Sequence, residues 1–475
     1  MVFLINPFIT SAERYGKDIG DIGGHQMPLG IFYLAAYLKR AGLAVQVIDA
    51  EAEGLVHENV VLELKDAKAS IIGITSTTVA FRNARALAEM ARRQLPGAKI
   101  VIGGPHMTAM PLPTMSTGAF DFGIVREGEV AFLKLVRHLV AGEGNLGDIP
   151  NLYWPGRPGP PMADHITDMS SIPFPARELC RNVSAYKPPV GAFRKEPVVN
   201  VMTSRGCPYE CIFCDNNTFG RKTRFFPAEY VAGEIKEVIT KYGAREIAFL
   251  DDTFVLNKAR LRKIFALLEK ERLSFPWTCM TRVNNLDYET LKFMRDNGCW
   301  QIRIGIESGS QQVLDFIKKG ITLKQVRNAA RWGRELGLRV SGFFMIGHHI
   351  DTPQTIDETI EFGTSLPLTD VIVTINTPIP GTLSYEKARD YGTYQEDDWT
   401  SLNYWTPVFV PKGLTRELML KKQAEFYRRF YTRPSVILGQ IAKIRSFAVL
   451  KMMARNALLG MRFIAGTRAG SDVDG

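Results

Sequence analysis

Three cysteines, Cys207, Cys211 and Cys214, stand at C-x-x-x-C-x-x-C spacing within the stretch R-G-C-P-Y-E-C-I-F-C-D-N-N, residues 205–217. An apolar, strand-like run (198–202) and a Gly-Pro turn signal precede them, so they fall on a loop at the carboxyl end of a strand. Thiolates suit soft metals, and iron–sulfur clusters are held by cysteines at short spacings. A structural zinc site takes a fourth Cys or His nearby, and none follows at finger-like spacing. A disulfide reading fails as well, because three cysteines crowded on one loop cannot all pair. Three thiolates on a cubane cluster leave one iron without a protein ligand, which is the open position that catalysis needs. The other three cysteines, Cys180, Cys279 and Cys299, are isolated and read as structural.

The loop resembles the cluster loop of the radical S-adenosylmethionine enzymes. The resemblance implies a 4Fe-4S cluster on Cys207, Cys211 and Cys214 whose fourth iron chelates S-adenosyl-L-methionine. One electron then cleaves the sulfonium to a 5′-deoxyadenosyl radical, and the electron comes from a donor such as flavodoxin or ferredoxin. Phe213, just before the last cysteine, matches the family's aromatic position beside the adenine.

The loop must be held by the elements around it. Residues 196–390 alternate strands (198–202, 247–250, 277–281, 301–306, 339–346 and 371–376) with helical patterns. Six β/α units are too few for a closed eight-stranded barrel, and they resemble the partial barrel of the same family. Sites in such folds lie at the carboxyl ends of the strands. There the chain carries F-L-D-D-T-F, T-R-V-N, G-I-E-S-G-S and F-F-M-I-G. An ammonium beside a metal needs acceptors. The resemblance puts Asp251 and Asp252 at the cofactor's amino group and Glu307 at its ribose or methionyl part. Arg282 could pair with the cofactor's carboxylate through its guanidinium fork.

Ahead of this lies a second alternating block, residues 1–141, with strand-like runs at 2–5, 44–48, 71–75, 99–102 and 122–125. Alternation of this kind is the signature of a doubly wound parallel sheet, whose ligand sits at the strands' carboxyl ends. Those ends carry Ser76 and Thr77, then Gly103, Gly104 and His106, then Glu127 and Gly128. Glycine admits close approach of backbone to a ligand, and hydroxyls supply hydrogen bonds without bulk. The stretches H-Q-M-P-L-G-I-F-Y-L-A-A-Y-L (25–38), I-G-I-T-S (72–76), G-G-P-H (103–106) and R-E-G-E (126–129) resemble the cobalamin-binding domain of one radical S-adenosylmethionine subclass. The D-x-H-x-x-G motif, by which many cobalamin enzymes ligate cobalt, is absent. That absence accords with the subclass, which binds the corrinoid without a protein histidine ligand.

The fold class expected is therefore α/β: an N-terminal doubly wound parallel sheet (1–141), a Pro/Gly-rich connector (142–195), a partial (β/α)6 barrel (196–390) and a helical C-terminal extension (391–475). At 45% hydrophobic and 23% charged residues the composition is that of ordinary globular protein. No signal-peptide pattern or transmembrane-length apolar run is read, so a cytoplasmic location is expected. The net charge of +10 does not signal nucleic acid. Nine Lys and Arg, and no acidic residue, fall between positions 427 and 470. Residues 434–466 interleave them with Ile, Leu, Phe and Met, a pattern that suits peripheral contact with an anionic membrane surface or a helix docked on the barrel. Residues 394–405, acidic and aromatic, suit a lid over the barrel mouth.

The resemblance, which covers about residues 1–390, implies a cobalamin-dependent radical enzyme. The subclass holds anaerobic magnesium-protoporphyrin monomethyl ester cyclase and several radical methylases. Methyl transfer to an unactivated carbon of a small or lipid-like metabolite is the expected activity. The alternatives are cyclisation or rearrangement in the cyclase manner, or a catalytically silent corrinoid carrier.

Overall fold

The computed structural model describes residues 1–441 apart from 19–22, 158, 161, 190–191 and 396–398. The first sheet comprises β1 (Val2–Asn6), β2 (Val45–Asp49), β3 (Ile71–Thr75), β4 (Lys99–Gly103), β5 (Phe122–Ile124) and β6 (Leu152–Tyr153), in the order β2-β1-β3-β4-β5-β6. Its first five strands are parallel; β6, from the connector, pairs antiparallel with β5. Near-continuous apolar runs such as V-F-L-I-N and I-I-G-I-T form these strands because both faces are covered. Successive side chains alternate between the faces. Phe3, Ile5, Ile72 and Ile74 join one core with Phe81, Ala84 and Leu87 of the helix Phe81–Gln94. Val2, Leu4 and Ile71 join the other, with Phe32 and Phe132. Strand order reverses between β1 and β3, which opens a crevice at their carboxyl ends.

The second sheet comprises β7 (Val198–Val201), then, beyond a ribbon of β8 (Ser204–Arg205) and β9 (Arg224–Phe225), β10 (Glu246–Phe249), β11 (Trp277–Thr281), β12 (Cys299–Glu307), β13 (Arg339–Ile346) and β14 (Asp370–Ile375). The six long strands are all parallel, in the order β14-β13-β12-β11-β10-β7, and the barrel is left open. An edge strand exposes unpaired backbone groups. The helix Arg416–Tyr431 covers that of β14: Gln423 donates to the Val373 carbonyl at 2.8 Å and Tyr427 Oη accepts from the Val373 amide at 2.9 Å. Between them β15 (Gly392–Tyr394) and β16 (Phe409–Pro411) form a small antiparallel pair.

The two sheets share one continuous apolar core that runs from Phe32 and Tyr33 to Phe226 and Val231. The helix Pro434–Ile441 begins the segment read as a basic amphipathic tail, and residues 442–475 lie outside those described. No helix among the described residues is long and apolar enough to cross a membrane.

Candidate active site

The carboxyl ends of the two sheets face one cavity of about 1120 Å³. Thr77, Gly103, Gly104, Glu127 and Gly128 line it from the first sheet. Gly104 has φ +91°, and a Cβ there would stand 2.6 Å from Thr75 Oγ1 and 2.9 Å from the Ser76 amide. Only glycine permits that turn, and it keeps a flat bed free of side chains. Phe213, Cys214, Asp252 and Glu307 line the cavity from the barrel, and Leu402, Asn403 and Tyr404 close it. The Ile375 amide donates to the Tyr404 carbonyl at 2.8 Å, which ties this wall to β14.

The cysteine loop starts at Gly206, whose φ of +89° and close approach to the Lys222 carbonyl (2.7 Å from a built Cβ) exclude any larger residue. Backbone bonds from Cys207 to the Gly220 carbonyl (3.3 Å) and from Ile212 to the Ile317 carbonyl (3.1 Å) fix its two ends. Arg282 lies over the Tyr209 ring at 3.7 Å and donates from Nη1 to Cys211 Sγ at 3.3 Å. Burial pushes the Cys214 thiol up to about 12, and the neighbouring Cys211, Asp252 and Cys207 push the same way while Lys319 opposes them. Such a set is costly as free thiolates and becomes favourable when a metal displaces the protons. Among the described residues no three His, Cys, Asp or Glu side chains are grouped tightly enough for a single metal ion. Thiolates on one zinc would stand about 4 Å apart at Zn–S bonds of about 2.3 Å. Cys207, Cys211 and Cys214 influence one another's ionisation, so the three thiols stand near enough to share one cluster.

Glu307 ends β12 with φ +67°, at a register shift against β13. A non-glycine residue held there stores backbone strain, which persists where the surroundings over-determine it. Lys319 supplies the restraint: its ammonium meets Glu307 Oε1 at 2.6 Å, with both residues nearly inaccessible to solvent. The same ammonium sits 5.7 Å from the Phe213 ring centre. Burial, and Asp251 beside it, hold the Asp252 carboxyl above its ordinary range.

Residues 201–363 match the radical SAM superfamily, and residues 17–136 match the B12 binding domain. An uncharacterized methyltransferase of Pyrococcus horikoshii is 34% identical over 464 residues, 96% of this chain and 98% of the relative. The chain belongs to the cobalamin-binding radical S-adenosylmethionine methyltransferases. Anaerobic magnesium-protoporphyrin IX monomethyl ester cyclase of Cereibacter sphaeroides is a more distant relative, 27% identical over 89% of this chain and 70% of its own. In fold the chain is similar to the radical S-adenosylmethionine methyltransferase TsrM of Kitasatospora setae, solved with cobalamin and a 4Fe-4S cluster bound. The TM-score is 0.66 at 17% identity, over 82% of this chain and 74% of that one. The cofactors are a 4Fe-4S cluster, S-adenosyl-L-methionine and cobalamin. The glycine bed, the three thiols and the acidic strand ends fit them.

Within this family member, not every residue singled out from sequence reaches the cavity. Ser76 is buried and bonds the Thr77 carbonyl at 2.7 Å. His106 is fully buried between Phe81 (ring centres 4.0 Å apart) and Trp399 (4.7 Å), behind the wall and not in it. Asp251 turns away from the cavity and accepts from the Thr203 amide (3.1 Å), the Thr203 hydroxyl (2.8 Å) and the Ser204 hydroxyl, which locks the exit of β7. Arg282 faces Cys211 and the Lys319 carbonyl, so it is no cavity partner for a carboxylate. Glu127 does line the cavity, but its oxygens are taken by Arg205 and Arg224 (2.7 Å each) and by His165 (3.2 Å). Asn403 and Tyr404 belong to the 394–405 segment read as a lid and do line the cavity, whereas Lys319 has no signal in the sequence. Lys319 sits in K-K-G, three residues past the helix Gln311–Phe316, where a lysine ordinarily reads as solvated surface.

Proposed function

We propose that this enzyme transfers a methyl group to a carbon of an apolar small molecule that carries no phosphate or carboxylate at its reacting end. One observation supports this reading above others. The barrel side of the cavity is lined by Met202, Leu250, Met280, Phe343, Met345 and Ile372, with Asn216, Thr218 and Thr374 as neutral polar groups and the carboxylates Asp215, Asp252 and Glu307 as its anions. Among the described residues the one Lys, Arg or His that lines that side, Arg205, is already paired with Glu127 and Glu129 at 2.7 Å each. An anionic group placed there would be desolvated beside three carboxylates with no unpaired cation to meet it, at a cost of roughly several kcal/mol.

In this reading Cys207, Cys211 and Cys214 hold the cluster. Asp252 and Glu307 accept hydrogen bonds from S-adenosyl-L-methionine, Phe213 packs on its adenine, and Lys319 fixes the rotamer of Glu307. Thr77, Gly103, Gly104 and Gly128 form the corrinoid bed. The bound cofactors supply one-electron chemistry and the transferable methyl group; the protein supplies orientation and exclusion of water. Asp251, Arg282 and Glu127 act one layer back, on β7, the cysteine loop and the domain interface. The reducing electron comes from a protein carrier.

The test is an anaerobic incubation of reconstituted enzyme with a lipid extract and, separately, with a polar metabolite pool, read by mass spectrometry for gain of one methylene. A product in the lipid fraction supports the reading. A phosphorylated or carboxylated product from the polar pool, with none from the lipid fraction, refutes it.

A further inference from the structure

A second depression of about 240 Å³ lies on the outer side of the cysteine loop, and Cys211 and Cys214 form part of its wall. Arg126, Cys214, Asn216 and Gly220 also line the large cavity, so a wall one residue thick at these positions separates the substrate space from the depression. The rim of the depression carries Arg126, Arg221 and Lys318 against a single carboxylate, Glu210. Arg221 and Lys318 are exposed, and Lys222 stands exposed beside them. Arg221 and Glu210 pair at 2.9 Å, both about 60% exposed (61% and 59%), so solvent screens that pair and the rim stays cationic.

We infer that this depression is the docking surface for an acidic one-electron carrier protein. The inference rests on the proposed placement of the cluster on the three cysteines. When the large cavity holds its cofactors, an electron has a short path to the cluster through the wall formed by Cys211 and Cys214. A cationic rim steers a carrier whose acidic surface surrounds its redox group. In the encounter the carrier loses one electron, the cluster gains it, and no bond forms or breaks. A neutral or basic carrier gains nothing from the three cations Arg126, Arg221 and Lys318 on this rim.

The experiment uses the full chain with its cluster loaded and reduced flavodoxin as the probe. Bleaching of the cluster absorbance in stopped flow gives the second-order rate, and calorimetry with oxidised flavodoxin gives the dissociation constant. The paired charge reversal R221E/K318E should slow reduction about tenfold at low salt and flatten its salt dependence. It should weaken binding in step, and leave reduction by dithionite unchanged. E210K alters only one exposed side chain and should accelerate reduction by flavodoxin. Unchanged flavodoxin rate, affinity and salt slope in both variants overturn the docking surface. So does an equal loss of the dithionite and flavodoxin rates in R221E/K318E together with no gain in E210K. If dithionite reduces no cluster in the unaltered protein, the cluster placement itself fails, and the docking surface with it.

Discussion

Replacing Arg205 by Met should loosen the contact between the two sheets without unfolding either. Arg205 lies on β8, is 2% exposed, and bonds Glu127 and Glu129 of the first sheet's R-E-G-E stretch at 2.7 Å each. Its guanidinium also stands 5.0 Å from the Tyr33 ring centre and 5.2 Å from that of Phe219. Removing one partner of a buried pair costs about 3–5 kcal/mol, because the other charge is left uncompensated. Glu127 keeps Arg224 and His165, so the loss falls mainly on Glu129 and the lower end of that range applies. About 3 kcal/mol corresponds to roughly 100-fold faster local opening. Amide hydrogen exchange should show that acceleration in residues 126–132, 204–207 and 224–225, while β3 and β12 keep their protection. Adding Glu129→Gln should recover part of it, as expected for directly coupled residues. The interface should also loosen in acid. Burial raises the Glu127 carboxyl, but Arg205 and Arg224 outweigh burial and hold it below its ordinary value of 4.5. Its contribution is therefore present above that value and is lost as pH falls through the lower folded one. Unchanged exchange in the three segments, or equal acceleration throughout both sheets, would refute a network specific to the interface.

Changing Cys207, Cys211 or Cys214 to Ala should abolish the iron content and absorbance of a reconstituted cluster together with deoxyadenosine formation, whereas Cys180→Ala and Cys299→Ala should preserve both. Lys319→Met should leave the cluster spectrum intact yet weaken binding of S-adenosyl-L-methionine about tenfold or more, since Glu307 loses its buried counter-ion; unchanged affinity by equilibrium dialysis would remove Lys319 from the site. Because no histidine lines the large cavity among the described residues, paramagnetic resonance of the cob(II)alamin form should lack nitrogen splitting from a histidine, in the unaltered protein and in His106→Gln alike. Burial lowers the His106 imidazole to about 4, so its neutral form is the folded one. Its contribution is complete above the ordinary value of 6.5 and is lost as pH falls toward 4, at about 1.4 kcal/mol per unit. Urea unfolding of His106→Gln should therefore show a shallower acid slope than the unaltered protein, and equal slopes would exclude a buried neutral imidazole.

The strands were legible to within a residue or two because most of their residues are buried and read as apolar runs. Ile71–Thr75, Trp277–Thr281 and Arg339–Ile346 match their sequence-based bounds. What escaped was structure that apolar periodicity does not encode. β6 lies within the Pro/Gly-rich connector, and the short helices Pro105–Ala109 and Pro111–Ser116 each begin at a proline that interrupts any pattern. The site was legible as loops but not as individual side chains. Asp251 and Asp252 are neighbours at a strand exit, where successive side chains point opposite ways. Sequence marks the pair, but only the fold shows that Asp252 faces the cavity and Asp251 faces Thr203. Ser76 and Thr77 divide in the same manner, the first inward and the second to the cavity.

Arg205, Gly206 and Cys207 are consecutive, so the interface anchor and the first cysteine are separated only by a glycine fixed at φ +89°. Only a glycine fits between them, because a Cβ at that position would stand 2.7 Å from the Lys222 carbonyl and 2.9 Å from that of Gly220, so Arg205 and Cys207 are coupled through one tight turn. The carboxylates that hold Arg205 flank Gly128, which lines the cavity beside the glycine bed of the first sheet. The carboxyl ends of the two sheets are thus joined through one buried ion network and one tight glycine turn. Such a joint suits an enzyme in which a group held over one sheet must reach a carbon activated over the other. The separation of the two strand-end rims then depends on packing and charge at Arg205, and the C-terminal wall at Leu402–Tyr404 encloses the space between them.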